Sequence, residues 1–113
     1  MADEKESQDR IYEAIETAKA TGKLKKGTNE VTKAIERGDA KLVVAAKDVS
    51  PPEITMHLPL LCEEKGIPFV KVASKEELGA AAGIDKPTSS VAIVQEGEAK
   101  SLIKDIIADL KKE

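Results

Sequence analysis

Asn29, Lys33 and Arg37 recur every four residues through the stretch Lys25-Lys26-Gly27-Thr28-Asn29-Glu30-Val31-Thr32-Lys33 and beyond, with Glu30 beside the first of them. Val31, Ala34 and Ile35 hold the i, i+3, i+4 spacing of a buried helical stripe, so the polar set falls on the exposed side of the same helix. An amide, a carboxylate and two cations therefore meet near a helix N-terminus. Each has a use against RNA: lysine donates to guanine acceptors, asparagine donates and accepts, and the free amides of a helix start hold phosphate oxygens. Glu30 is the most informative. Phosphates repel a carboxylate, which is best tolerated where a base offers N–H donors, as the exposed Watson–Crick edge of guanine does in a distorted, non-canonical pair. The plain alternative is a helix start carrying ordinary surface salt bridges.

A second patch, Gly83-Ile84-Asp85-Lys86-Pro87-Thr88-Ser89-Ser90, precedes a strand-like run and offers an apolar residue, a cation and hydroxyls suited to gripping an unstacked nucleotide. Read blandly, it is a helix-to-strand connection. Residues with catalytic potential are poorly placed. His57 is the sole histidine and Cys62 the sole cysteine, five positions apart on one helix, a spacing that turns their side chains away from each other. The doublets Glu63-Glu64 and Glu76-Glu77 point in different directions, as neighbours on a helix do, and read as solvated surface. Gly79-Ala80-Ala81-Ala82-Gly83 lies at a helix end without the strand and turn that aim amides at a nucleotide phosphate. A lone cysteine builds neither an intrachain disulfide nor a cysteine-based zinc site, and no cofactor is expected.

The net charge of −3 is unusual for a polyanion binder, but the average conceals an asymmetry. Residues 1–22 hold three bases and six acids, residues 23–47 seven bases and three acids, and residues 48–113 eight bases and twelve acids. The basic segment is the one that carries the polar helix stripe. The 113 residues suffice for one compact domain with a real core, here taken as 1–113. A polar, acidic opening and the lack of a membrane-length apolar run predict a cytoplasmic protein that does not engage membranes.

The elements that must position the polar stripe follow from periodicity. Ile11, Ala14, Ile15 and Ala18 mark a first helix, with Gly22 expected to stop it in a left-handed cap. Leu24-Lys25-Lys26-Gly27 predicts an edge strand, and the striped helix then runs to Gly38. Leu42-Val43-Val44-Ala45-Ala46 is continuously apolar and predicts a central strand. Ser50-Pro51-Pro52-Glu53 reads as a capping-box helix start, with Pro59 expected to kink a helix that ends at Gly66. Pro68-Phe69-Val70-Lys71-Val72 predicts a second inner strand, Ser74 and Glu77 cap a short helix ended by Gly83, and Ser90-Val91-Ala92-Ile93-Val94 is a further strand. Ala99, Leu102, Ile103, Ile106, Ile107 and Leu110 form the stripe of a terminal helix. This alternation predicts an α/β protein: a three-layer α/β/α sandwich around a mostly parallel four-stranded sheet.

Three blocks of the chain resemble an RNA-binding family. Lys26-Gly27-Thr28-Asn29-Glu30-Val31-Thr32-Lys33, then His57-Leu58-Pro59-Leu60-Leu61-Cys62-Glu63-Glu64-Lys65-Gly66-Ile67-Pro68, then Leu78-Gly79-Ala80-Ala81-Ala82-Gly83 closely resemble the kink-turn-binding large-subunit ribosomal proteins of archaea, the L-seven-Ae type. The resemblance spans nearly the whole length. It implies recognition of a helix-bulge-helix RNA whose sharp bend carries tandem sheared G·A pairs. By analogy Asn29, Glu30 and Lys33 read the guanines, and Lys26, Gly27 and Thr28 help position the backbone. A nucleotide thrown out of the bulge is then held by Ile54, Lys75 and Lys86, with Ile84, Pro87, Thr88 and Ser89 shaping the loop around it. Two departures stand out: Ile84-Asp85-Lys86-Pro87-Thr88 replaces the apolar Leu-Glu-Val-Ala-Ala type loop of many archaeal relatives and is closer to a nucleolar Val-Ser-Arg-Pro version. Ser50 stands where some relatives carry an acid.

The resemblance further implies a non-catalytic protein whose RNA partners are ribosomal RNA, box C/D and H/ACA guide RNAs and ribonuclease P RNA. The scaffold protein and fibrillarin of the guide particle would be met through the RNA complex. Two alternatives predict different behaviour: a ribosome-only paralogue like the related thirtieth large-subunit protein, with narrower targets, and a protein-interaction or small-ligand module with a fortuitous basic helix.

Overall fold

The computed structural model describes the backbone of residues 4–47 and 53–111 and the side chains of residues 9–47 and 58–108. Within these residues, nine regular elements follow one another in the predicted order: α1 (Glu4–Thr21), β1 (Lys23–Lys26), α2 (Thr28–Glu36), β2 (Leu42–Ala46), α3 (Glu53–Lys65), β3 (Phe69–Val72), α4 (Lys75–Ala81), β4 (Ser90–Gln95) and α5 (Lys100–Lys111). A short 3₁₀ turn, Gly97–Ala99, leads into α5. The Ser50-Pro51-Pro52 part of the predicted helix start lies outside the described residues. Pro59 lies inside α3.

Alternating burial builds a sheet covered on both faces. Leu42, Val44 and Ala46 of β2, Val70 and Val72 of β3, and Val91 and Ile93 of β4 share one core with α1, α4 and α5. Val43 and Ala92 join the other core, with Val31, Ala34 and Ile35 of α2 and Leu58 and Cys62 of α3. Two-residue periodicity assigns neighbours along each strand to opposite faces, and the three-layer arrangement results. β2 is buried throughout, as its unbroken apolar run predicted.

Strand order corrects two expectations. The sheet runs β1-β4-β2-β3, so β3, predicted as an inner strand, forms an edge. The sheet is also mixed rather than mostly parallel: β2 and β3 pair parallel, whereas β4 is antiparallel to both β1 and β2. The reason lies after α4. Thr88 donates its amide to the carbonyl of Lys75 at 3.2 Å, so the chain leaving α4 runs back beside the start of that helix. β4 thus begins at the end of the sheet where β3 stopped, and it has to run the other way.

Gly22 corrects a third. It follows α1 and donates to the Ala18 carbonyl at 2.7 Å, yet it is not among the glycines with positive φ. Its lack of a side chain serves packing instead, because a Cβ there would collide with the carbonyl oxygen of Gln95 at the end of β4. Gly38, at φ 73°, and Gly66, at φ 70°, do adopt the left-handed conformation after α2 and α3. Ser74 caps α4 as predicted, accepting the Glu77 amide at 3.2 Å. Gly22→Ala is expected to lower stability by about 1–3 kcal/mol through this overpacking, read as a reduced urea midpoint with an unchanged slope.

Candidate nucleic-acid interface

β1, β2 and β3 finish, and β4 begins, at one end of the sheet. α2 opens directly after β1 and α4 two residues after β3, while the first described residue of α3, Glu53, follows β2 by a few positions. Residues scattered from Lys26 to Ser89 are thereby gathered at one end. Had β4 been parallel, the 83–90 loop would have emerged at the opposite end, far from the mouth of α2.

Gly27 sets that mouth. Its φ of 89° turns the chain out of β1 into α2, and no side chain caps the helix. The Gly27 amide donates to the Ser90 carbonyl at 3.0 Å, while the Gly27 carbonyl accepts the Val31 amide at 2.9 Å. Thr28 and Ser89 share a hydroxyl–hydroxyl hydrogen bond of 2.8 Å. The helix start and the loop are therefore fastened side by side. Val31, Ala34 and Ile35 are buried as the stripe predicted, leaving Asn29, Glu30, Lys33 and Arg37 exposed. Among the described residues none of Glu30, Lys33 and Arg37 makes an ion pair.

The loop is equally constrained. Gly83, at φ 81°, reverses the chain after α4, and Ile84 donates its amide to the Gly79 carbonyl at 2.9 Å. A Cβ on Gly79 would strike the Lys86 carbonyl oxygen, so the glycine lets the loop backbone lie on the helix. Ser89 accepts the Ala46 amide through its carbonyl at 2.9 Å. Thr88 is only 8% exposed, and its hydroxyl donates to the Ser90 carbonyl at 3.1 Å. Ile84 is half-buried against the α1/α4/α5 core. These two residues fasten the loop, while Lys86 and Pro87 remain exposed on it.

Lys75 is the first residue of α4 and half-buried. Ile54 is the second described residue of α3, with its side chain outside the described set. Lys26 pairs with Val91, a residue of the α1/α4/α5 core, so alternation places its side chain on the face of β1 away from α2. Lys25, paired with Ala92, lies on the α2 face. Sequence reasoning passes over this distinction, although strand periodicity separates the two lysines once the pairing is known. It also passes over Gly79, whose role as a seat for the loop carries no local signal.

Cys62 is 1% exposed, and burial pushes its thiol up to about 11 from an ordinary 9.0. The nucleophilic thiolate is therefore scarce near neutral pH. Glu63, Glu64, Glu76 and Glu77 are exposed, as expected of solvated doublets.

Fold and edge together define a class of α/β/α domain in which helix openings and one strand-leading loop converge on an exposed polar surface. The chain belongs to the ribosomal protein L7Ae/L30e/S12e/Gadd45 family, whose model matches residues 9–103. It is also similar to the solved structure of a Giardia lamblia 15.5kD RNA binding protein: TM-score 0.89 and 33% identity, covering 95% of this chain and 89% of that one.

The buried thiol yields a direct check. Iodoacetamide at pH 8 is expected to leave Cys62 unmodified in the native protein and to alkylate it in urea. Because the native thiol holds its proton to higher pH than the unfolded one, this group's contribution to stability is present below pH 9 and declines as pH rises from 9 to about 11.

Proposed function

We propose that this protein recognises kink-turn motifs through tandem sheared G·A pairs and stabilises their bent form, without catalysing a reaction. The observation that carries the reading is Glu30: an exposed carboxylate beside Asn29 and Lys33 at an uncapped helix opening, with Arg37 exposed at the far end of the same helix. Asn29, Glu30 and Lys33 face guanine edges, where Glu30 accepts from the N1–H and N2–H of a guanine whose Watson–Crick edge is exposed. Gly27 and Thr28 position the opening so that the first amides of α2 hold phosphate oxygens, aided by Lys26, while Arg37 meets phosphates further along the helix. The fastened loop, with Lys86 and Pro87 outward, and the openings of α3 and α4, with Ile54 and Lys75, enclose the extruded nucleotide. Ile84, Thr88 and Ser89 keep that loop in place. Family membership and the likeness to an RNA binding protein support this reading.

Binding the kinked conformer more tightly than the extended one shifts the RNA equilibrium, which is all that a ligand does to a conformational balance. Kink-turns of ribosomal RNA, box C/D and H/ACA guide RNA and ribonuclease P RNA are the proposed targets, in the cytoplasm of an archaeal cell. In those particles the bent RNA with its bound protein is the platform for the scaffold protein and fibrillarin. A ribosome-only paralogue would bind the ribosomal kink-turn and ignore the guide-RNA one.

A gel-shift titration against one kink-turn and its G·A-to-Watson–Crick variant tests the proposal. Tight binding to the first and roughly a hundredfold weaker binding to the second is expected, the loss that about two mismatched base readings produce. Glu30→Gln is expected to cost about 1–3 kcal/mol on the intact kink-turn, the scale of one bidentate base contact. Equal binding of both RNAs would reduce the interaction to nonspecific electrostatics.

A further inference from the structure

The polar stripe of α2 does not stop at its opening. Along the same helix, between α2 and the strands beside it, lies an open cleft of about 370 Å³ whose polar lining includes Lys25, Lys33, Arg37, Lys41, Asp39 and Gln95. Lys25 reaches it from β1, on the face set by pairing with Ala92. Lys41 stands just before β2, where its amide donates to the Ile93 carbonyl at 2.6 Å. The tight turn after α2, with Gly38 at φ 73° and the Asp39 amide donating to the Ala34 carbonyl at 2.9 Å, brings Asp39 into the same lining as Arg37 and Lys41. Glu30 also lines the cleft, so its mouth is continuous with the surface that faces the guanines. Four cations thus share a concave surface with two carboxylates, on a chain whose net charge is −3. Among the described residues none of the four is ion-paired.

We infer that this cleft is a second RNA-binding stretch, which seats the ribose–phosphate backbone of the duplex arm leaving the kinked element. The inference rests on the proposed recognition at the opening of α2 and extends it to Lys25, Lys41, Asp39 and Gln95. From Asn29 to Arg37 the helix advances about 12 Å, roughly the rise of four base-pair steps, so a strand anchored at the opening reaches the cleft within its own arm. Lys25, Arg37 and Lys41 face phosphates. Asp39 would be repelled by phosphate alone, but it accepts from a ribose 2′-hydroxyl, and the Gln95 amide both donates to and accepts from one. That mixture of cations with an acid and an amide suits RNA better than a bare anion.

The test compares the wild-type chain with Lys25→Gln/Lys41→Gln on one kink-turn RNA carrying a long arm, across a salt series. The double variant is expected to bind on the order of tenfold more weakly at low salt, with the slope of log affinity against log salt shallower by about two, one for each lysine that no longer neutralises a phosphate. Its preference for the kink-turn over the G·A-to-Watson–Crick variant should be unchanged. Lys25→Arg/Lys41→Arg should retain affinity, which separates removal of charge from damage to the fold. Replacing the arm strand by its 2′-deoxy form should weaken the wild type several-fold. Unaltered affinity and salt slope in the Gln variant would overturn the inference while leaving recognition at the opening intact, and indifference to the 2′-deoxy arm would overturn the hydroxyl contacts. A wild-type chain that does not distinguish the two RNAs would remove both this inference and the reading on which it rests.

Discussion

Gly27 and Ser90 are joined by a backbone hydrogen bond of 3.0 Å, and that bond exists because β4 runs antiparallel to β1. The opening of α2 and the 83–90 loop become neighbours only through that direction. Thr28 and Ser89 then close the gap with their hydroxyls, and the Ala46 amide anchors the loop to the end of β2. A surface assembled from four separate parts of the chain is in this way held by backbone geometry. Asn29, Glu30, Lys33 and Lys86, which are proposed to read the ligand, stay exposed, and pre-organisation of this kind reduces the ordering cost that binding would otherwise incur.

The same arrangement reconciles an acidic protein with a polyanionic partner. A net positive balance is confined to residues 23–47, the segment that forms β1, α2 and β2. Acidic residues elsewhere keep long-range attraction to arbitrary nucleic acid weak, so discrimination falls to contacts at the site itself. In the proposed reading Glu30 adds to that discrimination by opposing phosphate and rewarding exposed guanine edges, a use of repulsion as well as attraction.

Much of this is legible in the sequence because it depends on local periodicity. The α2 stripe of Val31, Ala34 and Ile35 implies its own exposed face, and with it the alignment of Asn29, Lys33 and Arg37. The continuous run from Leu42 to Ala46 implies a strand covered on both sides, and Ser74 implies a cap. Strand direction is not legible: a two-residue period is the same for a strand running either way, and α4 reads like the helix of an ordinary parallel crossover. The return of Thr88 to Lys75, and the seat that Gly79 provides for Lys86, join residues whose proximity only the folded chain reveals. Gly22 defeats a local reading for a similar reason, since its constraint comes from Gln95 across the sheet rather than from its own backbone angle. Lys25 and Lys41 meet one cleft because β1 and β2 flank β4, which spacing along the chain does not encode.

The mouth of α2 and the loop before β4 are proposed to act as a single RNA-facing surface, and amide chemical-shift mapping during titration with a kink-turn RNA tests this most directly. Concurrent, saturating shifts are predicted for Gly27 to Lys33 and for Lys86 to Ser89, with the exposed faces of α1 and α5 unmoved. Shifts confined to α1 and α5, or a helix mouth that responds while the loop stays silent, would contradict it.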